Sequence, residues 1–322
     1  MTQGSTFTAG IDTSKAKLDA AVHGRRDCWQ VENTPSGWKR LAEEFSRVGV
    51  TRVGIEATGG YESEVVKYLR NKGFTVIVLQ PLQVRAYARL RLRRAKNDAI
   101  DAVLIAACTA MMEDPQLDPD PRLARLAEHL TFLEQNEKDA VRLKTRLEHV
   151  RDTRLRRIIA GDIKRLTARR AAELLRIIKE LRAHDDLARR FDLVLSVPGI
   201  GERTAVAIIV RMPELGRVSR EEAASLAGVA PFDDDTGKHH GQRHIAGGRK
   251  QLRCSLYAAA LPASMRWNKA LIALYSRLIE RGKTHKAALI ACARKLLIYA
   301  NTVVARGTPW QPAAPGREHT PA

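Results

Sequence analysis

The sequence predicts a mixed α/β unit followed by a longer, mainly helical portion. Three observations carry that fold class. In the first hundred residues, short strand-like runs come in succession and then alternate with helical periods. A proline-acid break, Glu113-Asp114-Pro115 through Asp118-Pro119-Asp120-Pro121, then interrupts the chain. Beyond it, leucines recur at three- and four-residue spacing from residue 123 to about 190.

Residues 7–12 and 18–22 read as strands joined by the turn-prone Asp12-Thr13-Ser14-Lys15, and 29–32 as a third. From Ser36, the expected cap, Trp38, Leu41, Phe45 and Val48 form a helical stripe. Residues 52–56 make a strand followed by Gly59-Gly60, Tyr61, Val65, Tyr68 and Leu69 mark a helix face, and 74–79 form a buried strand stopped by Pro81. A mixed sheet with helices packed on it follows.

In the helical stretch Leu123, Leu126, Leu130, Leu133 and Leu147 share a stripe on which Glu137 and Lys144 also fall. Gly161 is expected to end one helix, and Ile163, Leu166, Leu174, Ile177 and Leu181 mark another. The product is either a coiled-coil arm that pairs protomers or an intramolecular helical hairpin; spacing leaves both open. The organisation expected is 1–112, 121–190 (the arm) and 191–308, with 309–322, rich in Pro and Ala, as a disordered tail.

Lys and Arg number 55 against 36 Asp and Glu, a net charge of +19. That excess suits a polyanionic partner and predicts salt-dependent affinity. An anionic membrane face is the weaker reading: the best apolar run, 287–305, is broken by Arg294 and Lys295, and the N-terminal residues lack a signal-peptide layout. Cys28, Cys108, Cys254 and Cys292 have no zinc-ligand spacing and are expected to be reduced thiols in a cytoplasmic protein.

Against this basic background four carboxylates stand out. Asp12 and Glu56 end two strands, while Asp98 and Asp101, three apart, share one helix face. Four converging hard oxygen donors suit Mg²⁺ or Mn²⁺ for phosphoryl transfer. Each has a plainer reading: Asp98 as an N-cap with Asp101 facing the same helix dipole, Asp12 as a turn former, Glu56 as a solvated strand end. Arg85, Arg89, Arg91, Arg93, Arg94 and Lys96 precede Asp98 and form either a phosphate-gripping run or a solvated basic face.

Further on, Val197-Pro198-Gly199-Ile200-Gly201 has the pattern of a helix-hairpin-helix, whose Gly199 and Gly201 would let amides receive a backbone phosphate; a plain glycine-capped connection is the alternative. Thr236, in Asp235-Thr236-Gly237, sits near Lys238, Arg243, Arg249 and Arg253 in sequence. It is a nucleophile toward phosphorus or, as the residues alone favour, a turn former. His239, His240 and His244 lack suitably spaced metal-ligand partners.

These motifs together resemble the insertion-sequence transposases of the DEDD type, the IS110 group of bridge-RNA-guided DNA recombinases. The resemblance spans about residues 7–305. It rests on Gly10-Ile11-Asp12, Gly54-Ile55-Glu56-Ala57-Thr58-Gly59, Lys96-Asn97-Asp98-Ala99-Ile100-Asp101-Ala102, Val197-Pro198-Gly199-Ile200-Gly201, Gly228-Val229-Ala230-Pro231 and Gly247-Gly248-Arg249. It implies a RuvC-like, RNase H-type domain binding Mg²⁺ through Asp12, Glu56, Asp98 and Asp101. It also implies a helical arm, and a C-terminal transposase domain whose nucleophilic serine joins DNA covalently. Thr236 stands where the family usually has that serine; its methyl group restricts χ1 and crowds the attack path. Ser225 and Ser255, in expected helices, are poorer substitutes. Donor and target DNA, a guide RNA and a dimer or tetramer are further implications.

The function expected is therefore a transposase or recombinase that cuts and rejoins element DNA through a covalent hydroxyl–phosphate intermediate. A metal-dependent junction nuclease using activated water is the first rival. A non-catalytic nucleic-acid-binding protein is the second.

Overall fold

A computed structural model describes residues 7–91, 98–112, 120–232 and 244–311, without the side chains of 98–100. The chain divides into two compact units, Met1–Asp118 and Pro119–Ala322. The expected tail falls largely outside the described residues.

In the first unit β1 (Phe7–Thr13), β2 (Lys17–Val22) and β3 (Cys28–Glu32) form a meander. The chain then passes through α1 (Pro35–Val48) to β4 (Val50–Glu56), and through α2 (Ser63–Asn71) to β5 (Thr75–Leu79). The sheet order is β3-β2-β1-β4-β5. β1 pairs antiparallel with β2 and parallel with β4, so the crossover from β3 through α1 sets β4 beside the first strand of the meander. With β2 alone running against the others, this is an RNase H-like arrangement.

Strand alternation divides the side chains between two helical layers. Ala9, Ile11, Val53 and Ile55 pack with Leu41 and Phe45 of α1 and with Val65 and Leu69 of α2. On the opposite face lie α3 (Pro81–Leu90) and α4 (Asp98–Ala110), whose Val84, Tyr87, Leu104 and Ile105 gather with Leu79.

Two local expectations need correction. Thr34, not Ser36, caps α1: its hydroxyl accepts from Gly37 N at 3.3 Å, because Pro35 starts the helix one residue before Ser36. Tyr61 lies outside α2 and is 51% exposed. The segment before the helix is tied instead to Glu62, whose carboxylate accepts from Thr58 N, Thr58 Oγ1 and Gly60 N at 2.9–3.1 Å.

The second unit opens with α5 (Pro121–His149) and α6 (Thr153–Arg182), which pack on each other as a helical hairpin within the chain. Gly161 does not end a helix, since α6 runs through it. A half-exposed helical glycine costs only about 1 kcal/mol, and the stop falls where Asp152 caps Leu155 N at 2.8 Å. Burial is confined to one end of the pair, Leu123 through Asn136 and Ile177 through Leu181; no residue of 137–176 is buried. Glu137, which interrupts the leucine stripe, marks where packing stops.

There follow α7 (Asp185–Leu195), α8 (Glu202–Arg211), α9 (Arg220–Ala227) and a small ribbon of β6 (Pro231–Phe232) and β7 (His244–Ile245). The unit closes with α10 (Lys250–Pro262), a π-helical turn Ala263–Trp267, α11 (Lys269–Glu280) and α12 (His285–Arg306). By length and composition α12 could cross a membrane. Here its Cys292, Ala293, Leu296 and Leu297 lie in the unit's core, with Phe191, Ile208 and Leu256.

Candidate functional site

Register, rather than sequence distance, gathers the acids of the first unit. Ile11 pairs with Ile55, so Asp12 and Glu56, one residue further along parallel strands, are neighbours on one face. Asp12 pairs directly with Asp19 of β2. A row Asp19–Asp12–Glu56 thus crosses three strands on the α4 side of the sheet.

Glycines bring α4 down onto that face. A Cβ at Gly10 would lie 2.2 Å from Ala106 N and 2.4 Å from Ala102 O, and one at Gly54 would lie 1.7 Å from Thr109 Oγ1. The helix direction follows from its contacts. Arg52 Nη2, at the start of β4, donates to Met112 O; Thr109 stands over Gly54, Ala106 and Ala102 over Gly10, and Ala102 also lines a hollow with Asp19. The N-terminus of α4 therefore points toward the strand ends that carry Asp12 and Glu56. Its positive dipole end favours carboxylates there.

Asp98 is the first residue of α4, and half-buried Asp101 lies one turn on. Among the described residues no three carboxylates converge on a common ion; the side chain of Asp98 lies outside the description. In donor type, sheet face and helix end, the residues present fit a hard divalent cation.

Asp19, absent from the sequence-predicted set, is 9% exposed, accepts from Gln30 Nε2 at 2.7 Å and pairs with Lys17 at 3.2 Å. The signal for it was the hairpin turn, whose length sets Asp19 opposite Asp12. Glu62 was missed as well. Burial would raise its pKa, but donors from Gly60 and Thr58 hold it below the usual carboxylate value, stiffening the segment that follows Glu56.

Of the predicted basic run, Arg85, Arg89 and Arg91 are exposed on or just after α3. Arg91 Nε donates to Tyr87 Oη at 3.0 Å, and its guanidinium lies over that ring. Arg93, Arg94 and Lys96 fall outside the described residues.

In the second unit, residues 196–201 connect α7 and α8, so the hairpin motif joins two helices as its pattern suggests. Its glycines differ. Gly199 (φ 98°) is packed so closely that a Cβ would meet Ala263 Cβ at 2.3 Å, whereas Gly201, at the α8 N-terminus, is open. Arg203, the second residue of α8, pairs with Glu134 and Glu137 at 3.3 and 3.2 Å, and Arg211 with Glu134 at 2.7 Å.

Thr236, Lys238 and Arg243 lie outside the described residues, in the segment between β6 and β7. The structure does describe what anchors that segment. Gly228 and Gly248, both at positive φ, approach until a Cβ on Gly248 would meet Gly228 N at 2.2 Å. Arg253 donates to Gly247 O at 2.6 Å and to Gly228 O at 3.2 Å, and Arg249 holds Glu214 through two bonds of 2.6 and 3.0 Å. These two arginines thus tie the frame of the segment together.

Neighbouring carboxylates on an RNase H-like sheet, in a chain of charge +19, suit an enzyme of DNA phosphoryl transfer, the class to which transposases belong. A transposase family model matches residues 9–159, and that of the transposase IS116/IS110/IS902 family matches 191–276. The chain belongs to the IS110-family DEDD transposases, a family that uses divalent metal. Among its relatives are the pilin gene-inverting proteins of Moraxella bovis and Moraxella lacunata, each 26% identical over 94% of this chain and 96% of the relative. An uncharacterized 43.6 kDa protein of insertion element IS110 from Streptomyces coelicolor is 31% identical over 38% of this chain and 31% of its own.

Proposed function

We propose that this transposase cuts and rejoins insertion-element DNA through a covalent threonyl–DNA intermediate, with Asp12, Glu56, Asp98 and Asp101 as ligands of Mg²⁺ in a RuvC-like domain. The observation that carries the reading is the neighbouring register of Asp12 and Glu56 beneath the N-terminus of α4. A bound divalent ion would supply charge neutralisation at the scissile phosphate.

Thr236 Oγ1 forms a bond to phosphorus as the P–O3′ bond breaks, and the hydroxyl proton ends on the departing O3′. One phosphodiester replaces another, so resealing needs no nucleotide cofactor. Arg89, Arg91, Arg93, Arg94 and Lys96 bear on nucleic-acid phosphates, as do Lys238, Arg243 and the exposed α8 N-terminus at Gly201. A guide RNA would supply sequence choice by base pairing, by analogy with other guided systems. The exposed apolar side chains Val141, Leu155 and Ile158 on the distal hairpin support pairing of protomers through that arm. The two Moraxella relatives favour inversion of a DNA segment among the outcomes.

The test is a nicked element-end substrate incubated with Mg²⁺ and resolved on a denaturing gel. A Mg²⁺-dependent protein–DNA adduct is expected, lost in Thr236→Ala and in Asp12→Asn. Strand cleavage without any adduct, retained in Thr236→Ala, would instead establish hydrolysis by water.

A further inference from the structure

A groove of about 740 Å³ in the second unit lies outside everything assigned above. It is large enough for a small organic ligand. Val229 and the half-buried Ile245, Tyr257 and Ile290 give it an apolar lining. Lys283, Lys286 and Arg294 stand among its lining residues, and among the described residues no carboxylate does.

Arg294 carries a second signal: its Nε is buried without a hydrogen-bond partner among the described residues. An orphaned guanidinium nitrogen calls for an acceptor. Glu221, an acid that feels the charge of Arg294, is already held by Arg220 at 2.6 Å. An apolar lining with three cations matches a ligand that is flat and apolar on one side and anionic on the other.

We propose that this groove binds one unpaired nucleotide of the DNA strand. The base would lie against Tyr257, Ile245 and Ile290, with flanking phosphates at Lys283, Lys286 and Arg294. Only an unpaired nucleotide can present a base face this way, and base–aromatic stacking is tolerant of sequence. DNA is chosen over other polyanions because the chain is a DNA transposase. Pro231 and His244, from the strands that bracket residues 233–243, form part of the lining. The inference rests on the DNA-acting class alone and not on Thr236 as nucleophile.

The experiment uses the full chain without divalent metal and a short oligothymidine bearing one central 5-iododeoxyuridine. Irradiation should give an adduct that peptide mass spectrometry maps to Tyr257 or His244. Ala287→Trp, which places an indole in the groove from an exposed position, should reduce it about tenfold. Lys286→Gln should lower the slope of log affinity against log salt by about 0.7, the value for one phosphate contact on a single strand. Thr236→Ala should leave the adduct unchanged, so failure of the covalent mechanism would not touch this result. Adducts mapped only elsewhere, or undiminished in an Ala287→Trp protein of native circular dichroism, would overturn the proposal. So would equal binding of an abasic oligomer, or stronger cross-linking of the matching oligoribonucleotide.

Discussion

Gly10→Ala is the most direct perturbation of the acidic site that leaves every acid in place. The new methyl carbon would stand 2.2 Å from Ala106 N, 2.4 Å from Ala102 O and 2.8 Å from Ala106 Cα, all backbone atoms with no rotamer to yield. Ordinary contact begins near 3.4 Å, so α4 must retreat from β1 by about 1 Å, and overpacking of this kind costs about 1–3 kcal/mol. The retreating helix carries Asp98 and Asp101, and a displacement of about 1 Å at a reacting centre can cost about a hundredfold in rate. Thermal melting should fall by several degrees, and strand transfer should drop about a hundredfold at a temperature where the variant is fully folded. Gly54→Ala supplies the control, because there the obstacle is the Thr109 side chain. Adding Thr109→Ala removes the 1.7 Å contact and leaves one of 2.8 Å, so the pair should recover part of the loss. Adding Ala106→Gly to Gly10→Ala should recover nothing. Wild-type melting and activity in Gly10→Ala would refute the reasoning.

Other consequences can be measured on the same protein. Glu134→Ala should destabilise the second unit by about 3 kcal/mol, the lower end of the cost of breaking a buried ion pair, because Arg211 loses its 2.7 Å partner while Arg203 keeps Glu137; a urea midpoint equal to wild type would contradict this. Exposed Cys28 and Cys254 should react rapidly with a thiol reagent at pH 8, while Cys108 and Cys292 react only on unfolding, burial having pushed the Cys292 thiol up to about 11; four fast thiols would count against the packing. Arg122 hydrogen-bonds Asp120 and Asp186 and holds both below the usual carboxylate value. Their stabilisation is therefore complete above the unfolded carboxylate value of about 3.9 and lost as pH falls through the lower folded values. The melting temperature should decline with pH below about 4, and less steeply in Asp120→Asn.

Much of the first unit was legible because strand and helix periods differ sharply. The alternation around Ile11 and Ile55 and the stripe of Leu41 and Phe45 each point to one buried face. Boundaries failed where a local bond outweighed the pattern, as at Thr34 with Pro35, at Tyr61 beside Glu62, and at Gly161 within an uninterrupted helix. Glu134 was also invisible: nothing in the leucine spacing marks it, and only folding brings Arg203 and Arg211 of α8 to it.

From residue order alone came the strongly basic surface, the α/β-then-helical plan and the acids at strand and helix ends, since composition and periodicity are local properties. Tertiary structure decided that Asp12 has Glu56 and Asp19 as neighbours, that Gly10 and Gly54 seat α4 on the sheet, and that Arg249 and Arg253 clamp the fold. The physical reason is that register and close approach join residues far apart in sequence, and such pairings take their energy from contacts that exist only once the chain has folded.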